Sequence, residues 1–81
     1  MNTYVPRGVC SQLIDFDIDD QGRLKDVAFT GGCDGNLKAI AKLVEGEDAR
    51  KIAALLKGNT CGRRSTSCAD QLACAIEEAQ G

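Results

Sequence analysis

Histidine is absent from the 81-residue chain, and so is tryptophan. Without an imidazole there is no Ser-His or Cys-His catalytic pair, and no zinc site built on histidine. Aromatic residues are confined to Tyr4, Phe16 and Phe29, too few for a base-stacking platform. A basic excess is missing too: ten Lys and Arg stand against twelve Asp and Glu, a formal net charge of −2. That balance disfavours phosphate backbones and anionic membranes as partners. No apolar run approaches the ~18 residues of a membrane span, and no segment reads as a charged-then-apolar signal peptide. The expectation is a soluble cytoplasmic chain with neither a nucleic-acid nor a membrane partner.

Large apolar side chains are also scarce. Hydrophobic residues make up 43% of the chain, but ten of them are Ala and five are Cys. A domain of this size draws only ~3–5 kcal/mol from a single core, and natural proteins often add a disulfide, a metal or a partner chain. Without a secretory signal, thiols or thiolate ligands are the better reading of five cysteines than disulfides.

There is no internal repeat, linker or low-complexity tract, so residues 1–81 read as one domain. Across 9–18, Cys10, Gln12, Ile14, Phe16 and Ile18 share one face of a predicted strand, opposite Ser11, Leu13, Asp15 and Asp17. Asp19-Asp20-Gln21-Gly22 is turn chemistry, and 24–30 reads as the return strand with Lys25, Val27 and Phe29 on one face. Tyr4-Val5 can add a short third strand. Leu37, Ile40, Leu43 and Val44 then recur at helical spacing, ended by Gly46. Ala49, Ile52, Ala53, Leu55 and Leu56 give a second helix, stopped by Gly58. Ser67 and Asp70 form a capping-box variant opening a third, whose apolar stripe is Cys68, Leu72, Ala75, Ile76 and Ala79. The predicted fold class is α+β: an antiparallel sheet of two or three strands packed against three helices.

Four cysteines fall at element ends or in loops. Cys10 lies near the start of the first strand, and Cys33 lies in Gly31-Gly32-Cys33-Asp34-Gly35-Asn36. Cys61 sits in the loop 59–66, and Cys68 in the first turn of the last helix, where the positive helix end favours a thiolate. The hairpin can bring Cys10 beside Cys33. Cys74 falls about 120° away from its helix's apolar stripe and reads as a small buried hydrophobe. No Cys-x-x-Cys knuckle is present, so placement leaves metal ligand, redox thiol and core filler all open for the other four. The glycine-rich stretch lacks a nucleotide-binding signature and reads less well as an anion cradle than as a tight wrap around a bound Cys33. Arg63 and Arg64 can offset the charge of a four-thiolate centre. The acidic run Asp15, Asp17, Asp19 and Asp20 reads as a solvated strand face, not a calcium loop.

Gly8-Val9-Cys10-Ser11, Thr30-Gly31-Gly32-Cys33-Asp34-Gly35-Asn36-Leu37, Cys61-Gly62 and Thr66-Ser67-Cys68-Ala69-Asp70-Gln71-Leu72-Ala73 together resemble the TSCPD-domain family in its short stand-alone form. The family's namesake Pro is Ala69 here, a change that costs some helix preorganisation and no ligand. The resemblance implies a domain like the one appended to adenosylcobalamin-dependent ribonucleotide reductases, with the cysteines as metal ligands. More distantly, the order of motifs is similar to the U-type iron–sulfur cluster assembly scaffolds, which implies their fold. Cys10, Cys33 and the Cys68-to-Ala73 run occupy comparable places. Ser11 and Gln12 stand where those scaffolds carry an Asp, Ser67 stands where they carry a His, and Cys61 is extra. A fourth thiolate in place of oxygen and nitrogen ligands points to a closed structural site.

The expected site is one tetrahedral zinc held by Cys10, Cys33, Cys61 and Cys68, with sulfurs at ~2.3 Å. Its expected role is structural or partner-docking, with a ribonucleotide reductase as the implied partner. One alternative is a thiol redox module feeding electrons to a reductase through Cys61 and Cys68. Another is iron–sulfur cluster binding or transfer. Eighty-one residues cannot house a nucleotide barrel and a cobalamin site, so no independent catalysis is expected.

Overall fold

The computed structural model describes residues 2–9, 11–32, 34–59 and 66–80. Their element order is β1 (Asn2–Tyr4), β2 (Ser11–Ile18), β3 (Leu24–Gly31), α1 (Asp34–Val44), α2 (Ala49–Leu56) and α3 (Cys68–Gln80). The strands form one antiparallel sheet in the order β1-β2-β3. This is the α+β arrangement the periodicities predict, with the short first strand included.

The β2–β3 hairpin is closed by Asp19. Its carboxylate accepts the Gln21 and Arg23 amides at 2.9 Å each, and its carbonyl accepts the Gly22 N–H at 3.0 Å. These bonds pin a four-residue turn that an aspartate at its first position favours. Ile14 pairs with Phe29, and Ile18 with Leu24.

Two bulges overturn parts of the strand reading. The register shifts between Ser11 and Leu13, where Gln12 is the extra residue. Ser11 is therefore buried at 4% exposure while Gln12 faces solvent, the reverse of the predicted face assignment. A second shift faces Asp15–Asp17, where β3 carries the extra residue and Asp26 adopts φ +55°. Leu24 and Val27 both turn inward and Lys25 turns out, although alternation placed Lys25 with Val27. A bulge inserts one residue into one strand, so a count of two loses its phase across it.

Gly31 shows how tight the first bulge is. It holds φ +80°, and a Cβ there would lie 3.2 Å from Cγ of Gln12. Left-handed backbone costs an L-residue ~1–2 kcal/mol before any crowding. Gly31→Ala is expected to destabilise by at least that amount, read as a lower urea midpoint with an unchanged slope.

The helices cover one face of the sheet. The core is Ile14, Phe16 and Leu24 from the strands against Leu72 and Ile76 of α3, with Val27, Val44, Ile52 and several alanines around them. α2 is capped by Asp48, whose side chain accepts the amides of Arg50 and Lys51. The start of β3 is covered by the α1–α2 loop: Leu24 N–H donates to the Glu47 carbonyl at 2.9 Å, and Gly46 N–H to the Leu24 carbonyl at 2.8 Å. That pairing occupies an otherwise open strand edge. The predicted apolar stripes prove too wide. Leu43 is 76% exposed and Leu55 66%, because α1 packs chiefly on β3 and α2 chiefly on α3, each through a narrow face. Among the described residues no helix is long and apolar enough to cross a membrane.

Candidate functional site

Cys68 is the first residue of α3 and is half-buried. Ser67 caps the helix, its hydroxyl accepting the Asp70 N–H at 3.1 Å and its carbonyl the Gln71 N–H at 2.8 Å. The Ser11 hydroxyl donates to the Cys68 sulfur at 3.3 Å, so β2 and the start of α3 meet at this thiol. Cys10, Cys33 and Cys61 lie outside the described residues. Arg63 and Arg64 do as well. Among the described residues there is no group of three or more His, Cys, Asp or Glu that could hold a metal ion.

The described neighbours of those three cysteines are nonetheless drawn to one place. Ser11, next to Cys10, is paired with Gly31, two residues before Cys33. A Cβ on Gly8 would meet the Thr66 methyl at 3.4 Å. Asn59, two residues before Cys61, has its carbonyl bonded by the Ser67 hydroxyl, and its side-chain amide donates back to that hydroxyl at 3.4 Å. Ser11 at the strand start and Asn59 after α2 both meet the start of α3, and Gly31 at the strand end pairs with Ser11.

Two buried polar side chains of that turn complete the arrangement. The reciprocal half of the predicted capping box is not made. Asp70 instead turns its carboxylate to the Gly58 N–H at 2.6 Å and to the Thr66 hydroxyl. These bonds, Thr66 foremost and then Gly58, hold the Asp70 carboxyl below its usual range against the opposing effect of burial. Gln71 accepts the Arg7 N–H at 3.0 Å and donates to the Thr66 hydroxyl at 3.0 Å. Among the described residues no buried side-chain N or O atom lacks a partner. Sequence reasoning singled out Asp70 only as a cap and missed Gln71, Thr66 and Asn59. A polar residue in a helix's first turn carries no signal of which loop it will hold.

The donor chemistry suits a soft, closed site. The chain offers thiols and no imidazole, and the one ligand candidate that is described sits at a helix start with the Ser11 hydroxyl on its sulfur. Cys74 is set apart. It is half-buried further along α3, and burial pushes its thiol up, with the Asp70 and Glu77 carboxylates adding to the effect. Cys74→Ser is expected to leave metal content per chain unchanged by elemental analysis. Loss of metal from a folded Cys74→Ser variant would show that Cys74 is itself a ligand.

A family model for the TSCPD domain matches residues 2–80, essentially the whole chain. No curated protein and no solved structure matches. The likeness to the U-type iron–sulfur scaffolds accordingly stays one of motif order. With motifs, element order and match all spanning the same residues, the chain belongs to the TSCPD-domain family.

Proposed function

We propose that this domain holds one zinc ion through Cys10, Cys33, Cys61 and Cys68, and that the ion serves to fix the fold and present it to a protein partner. The observation that carries this reading is the convergence on the first turn of α3. Adjacent Cα atoms are ~3.8 Å apart, so the Cα atoms of residues one or two positions apart lie within ~8 Å of one another. Cys10 is one residue from Ser11, which touches the Cys68 sulfur; Cys33 is two from Gly31, and Cys61 is two from Asn59. Zinc supplies a tetrahedral cross-link with no redox change, which suits a domain whose core is thin.

The family likeness to a domain appended to adenosylcobalamin-dependent ribonucleotide reductases makes such a reductase the partner of this reading. Any link to deoxyribonucleotide synthesis then runs through that partner. Free thiolate ligands also fit a reducing compartment, hence the cytoplasm.

The test is elemental analysis of protein purified anaerobically without chelator, with thiols counted before and after chelation. One zinc per chain, with four thiols appearing on chelation, is the expected result. Brown colour with iron and sulfide supports a cluster instead. A metal-free protein with a reducible Cys61–Cys68 disulfide supports the redox module.

A further inference from the structure

We propose that Asp70 and Gln71 are positioning residues for the cysteine cluster, holding the two loops that lead to Cys61 and Cys10 against the helix turn that carries Cys68. The proposal rests on the ligand reading above. Each side chain binds one backbone amide from a different loop: Asp70 takes the Gly58 N–H at 2.6 Å, and Gln71 the Arg7 N–H at 3.0 Å. Gly58 precedes Cys61 by three residues, and Arg7 precedes Cys10 by three. Thr66 joins the two clamps, donating its hydroxyl proton to Asp70 and accepting from the Gln71 amide. A single connected network therefore spans both loops and the helix start.

Burial makes this arrangement costly as a device for stability alone. Asp70 and Gln71 are each only 9% exposed in the first turn of a helix, where an apolar residue would gain from burial without desolvating a polar group. A typical hydrogen bond contributes a net ~0.5–1.5 kcal/mol once desolvation is counted, less than the ~1.5–3 kcal/mol from fully burying a large apolar side chain. What the network adds is direction. Apolar contact lets a loop slide, whereas an oriented hydrogen bond to one of its amides fixes where its backbone runs. Groups bonded directly to metal ligands typically carry ~10–100-fold of metal affinity, and a clamp on the backbone leading to a ligand acts on the same placement one step removed. Ser11, 4% exposed with its hydroxyl on the Cys68 sulfur, belongs to the same shell.

The experiment compares Asp70→Asn and Gln71→Met in a Cys74→Ser background, with Ile76→Val as a control. Ile76 is fully buried on α3 and lies outside the network, so its truncation lowers stability without touching the clamps. Circular dichroism establishes folding, and chelator competition gives the zinc affinity. The expected result is a fall of ~10–100-fold in both clamp variants and a much smaller one in the control. Folded clamp variants that bind zinc as the control does would overturn the positioning role while leaving the zinc reading intact. If the parent takes no zinc, that reading has failed, and thiol–thiol cross-linking with a bifunctional bimane decides the positioning role by itself. Cross-linking that is efficient in the parent and the control but lost in the clamp variants supports it; equal cross-linking in all, or none in the parent, overturns it. Should either clamp variant fail to fold, Thr66→Ala removes only the joining hydroxyl and is read in the same way.

Discussion

On the zinc reading proposed above, treating the folded protein with a strong chelator is expected to lower its thermal midpoint by ~12 °C or more, and added zinc is expected to restore it. The size follows from how little else holds the domain. Among the described residues fourteen hydrophobic side chains form the core, and five of those are alanines. A core of this kind in a domain of this length supplies only ~3–5 kcal/mol. Structural zinc binds peptides with ~10–16 kcal/mol, and because such a site exists only in a folded chain, much of that is folding free energy. A loss of even ~3 kcal/mol moves the midpoint of a small domain by ~12–24 °C, since each kcal/mol is worth ~4–8 °C. Cys33→Ser and Cys68→Ser are expected to mimic the chelator, because removing one thiolate from a closed tetrahedral site opens it. A melting curve indifferent to chelator, in protein shown to lose its zinc, would remove the structural role from the ion.

Phe16→Ala is expected to have the next largest effect, ~3–5 kcal/mol. Phe16 is 1% exposed in the central strand and is the largest of the fully buried side chains. Truncation loses its transfer free energy and leaves a cavity that a central strand hydrogen-bonded on both edges cannot collapse around. The loss is a large fraction of the ~4–12 kcal/mol that ~0.05–0.15 kcal/mol per residue gives a domain this small. Urea unfolding of the zinc-loaded protein measures it, with Leu43→Ala as a contrast expected to stay within ~0.5 kcal/mol. Leu43 is the most exposed large apolar residue described, so its truncation creates no cavity. Equal losses at the two positions would mean that the strand–helix core does not carry the domain.

Much of this fold is legible in residue order, and its limits have identifiable causes. Asp19-Asp20-Gln21-Gly22 closes the hairpin as turn chemistry demands, and the three helices fall where apolar spacing puts them. Face assignments fail at Gln12 and Lys25 because each lies at a bulge, and a bulge is set by strand pairing, not by composition. Leu43 and Leu55 fit a helical period equally well whether or not a neighbour covers them; only tertiary packing decides. At the site, Ser67 announces itself as a cap through the hydroxyl and the acidic residue three positions on. Asp70 then bonds Gly58 and Thr66, brought close by the α2–α3 connection, which no local pattern encodes. The candidate ligands were legible as cysteines at element ends. Of these, Cys68 is the one whose surroundings are described, and its contact with Ser11 depends on the bulge that turns Ser11 inward.

Those two bulges act as compensating frameshifts. The extra residue on β2 at Gln12 advances the pairing by one, and the extra residue on β3 near Asp26 sets it back by one. The strands therefore leave the sheet in the same step in which they left the hairpin turn, and only the central pairs from Leu13 to Asp15 run out of phase with both ends. Twist obeys a different rule. Each bulge adds right-handed rotation whichever strand carries it, so register cancels along the ribbon while rotation accumulates. The hairpin consequently works as a screw of fixed length, and the end bearing Ser11 and Gly31 is turned further about the strand axis than a plain eight-residue ladder would turn it. Ser11 owes its inward side to the phase change at Gln12, and the added rotation acts on top of that change at the same end of the ribbon.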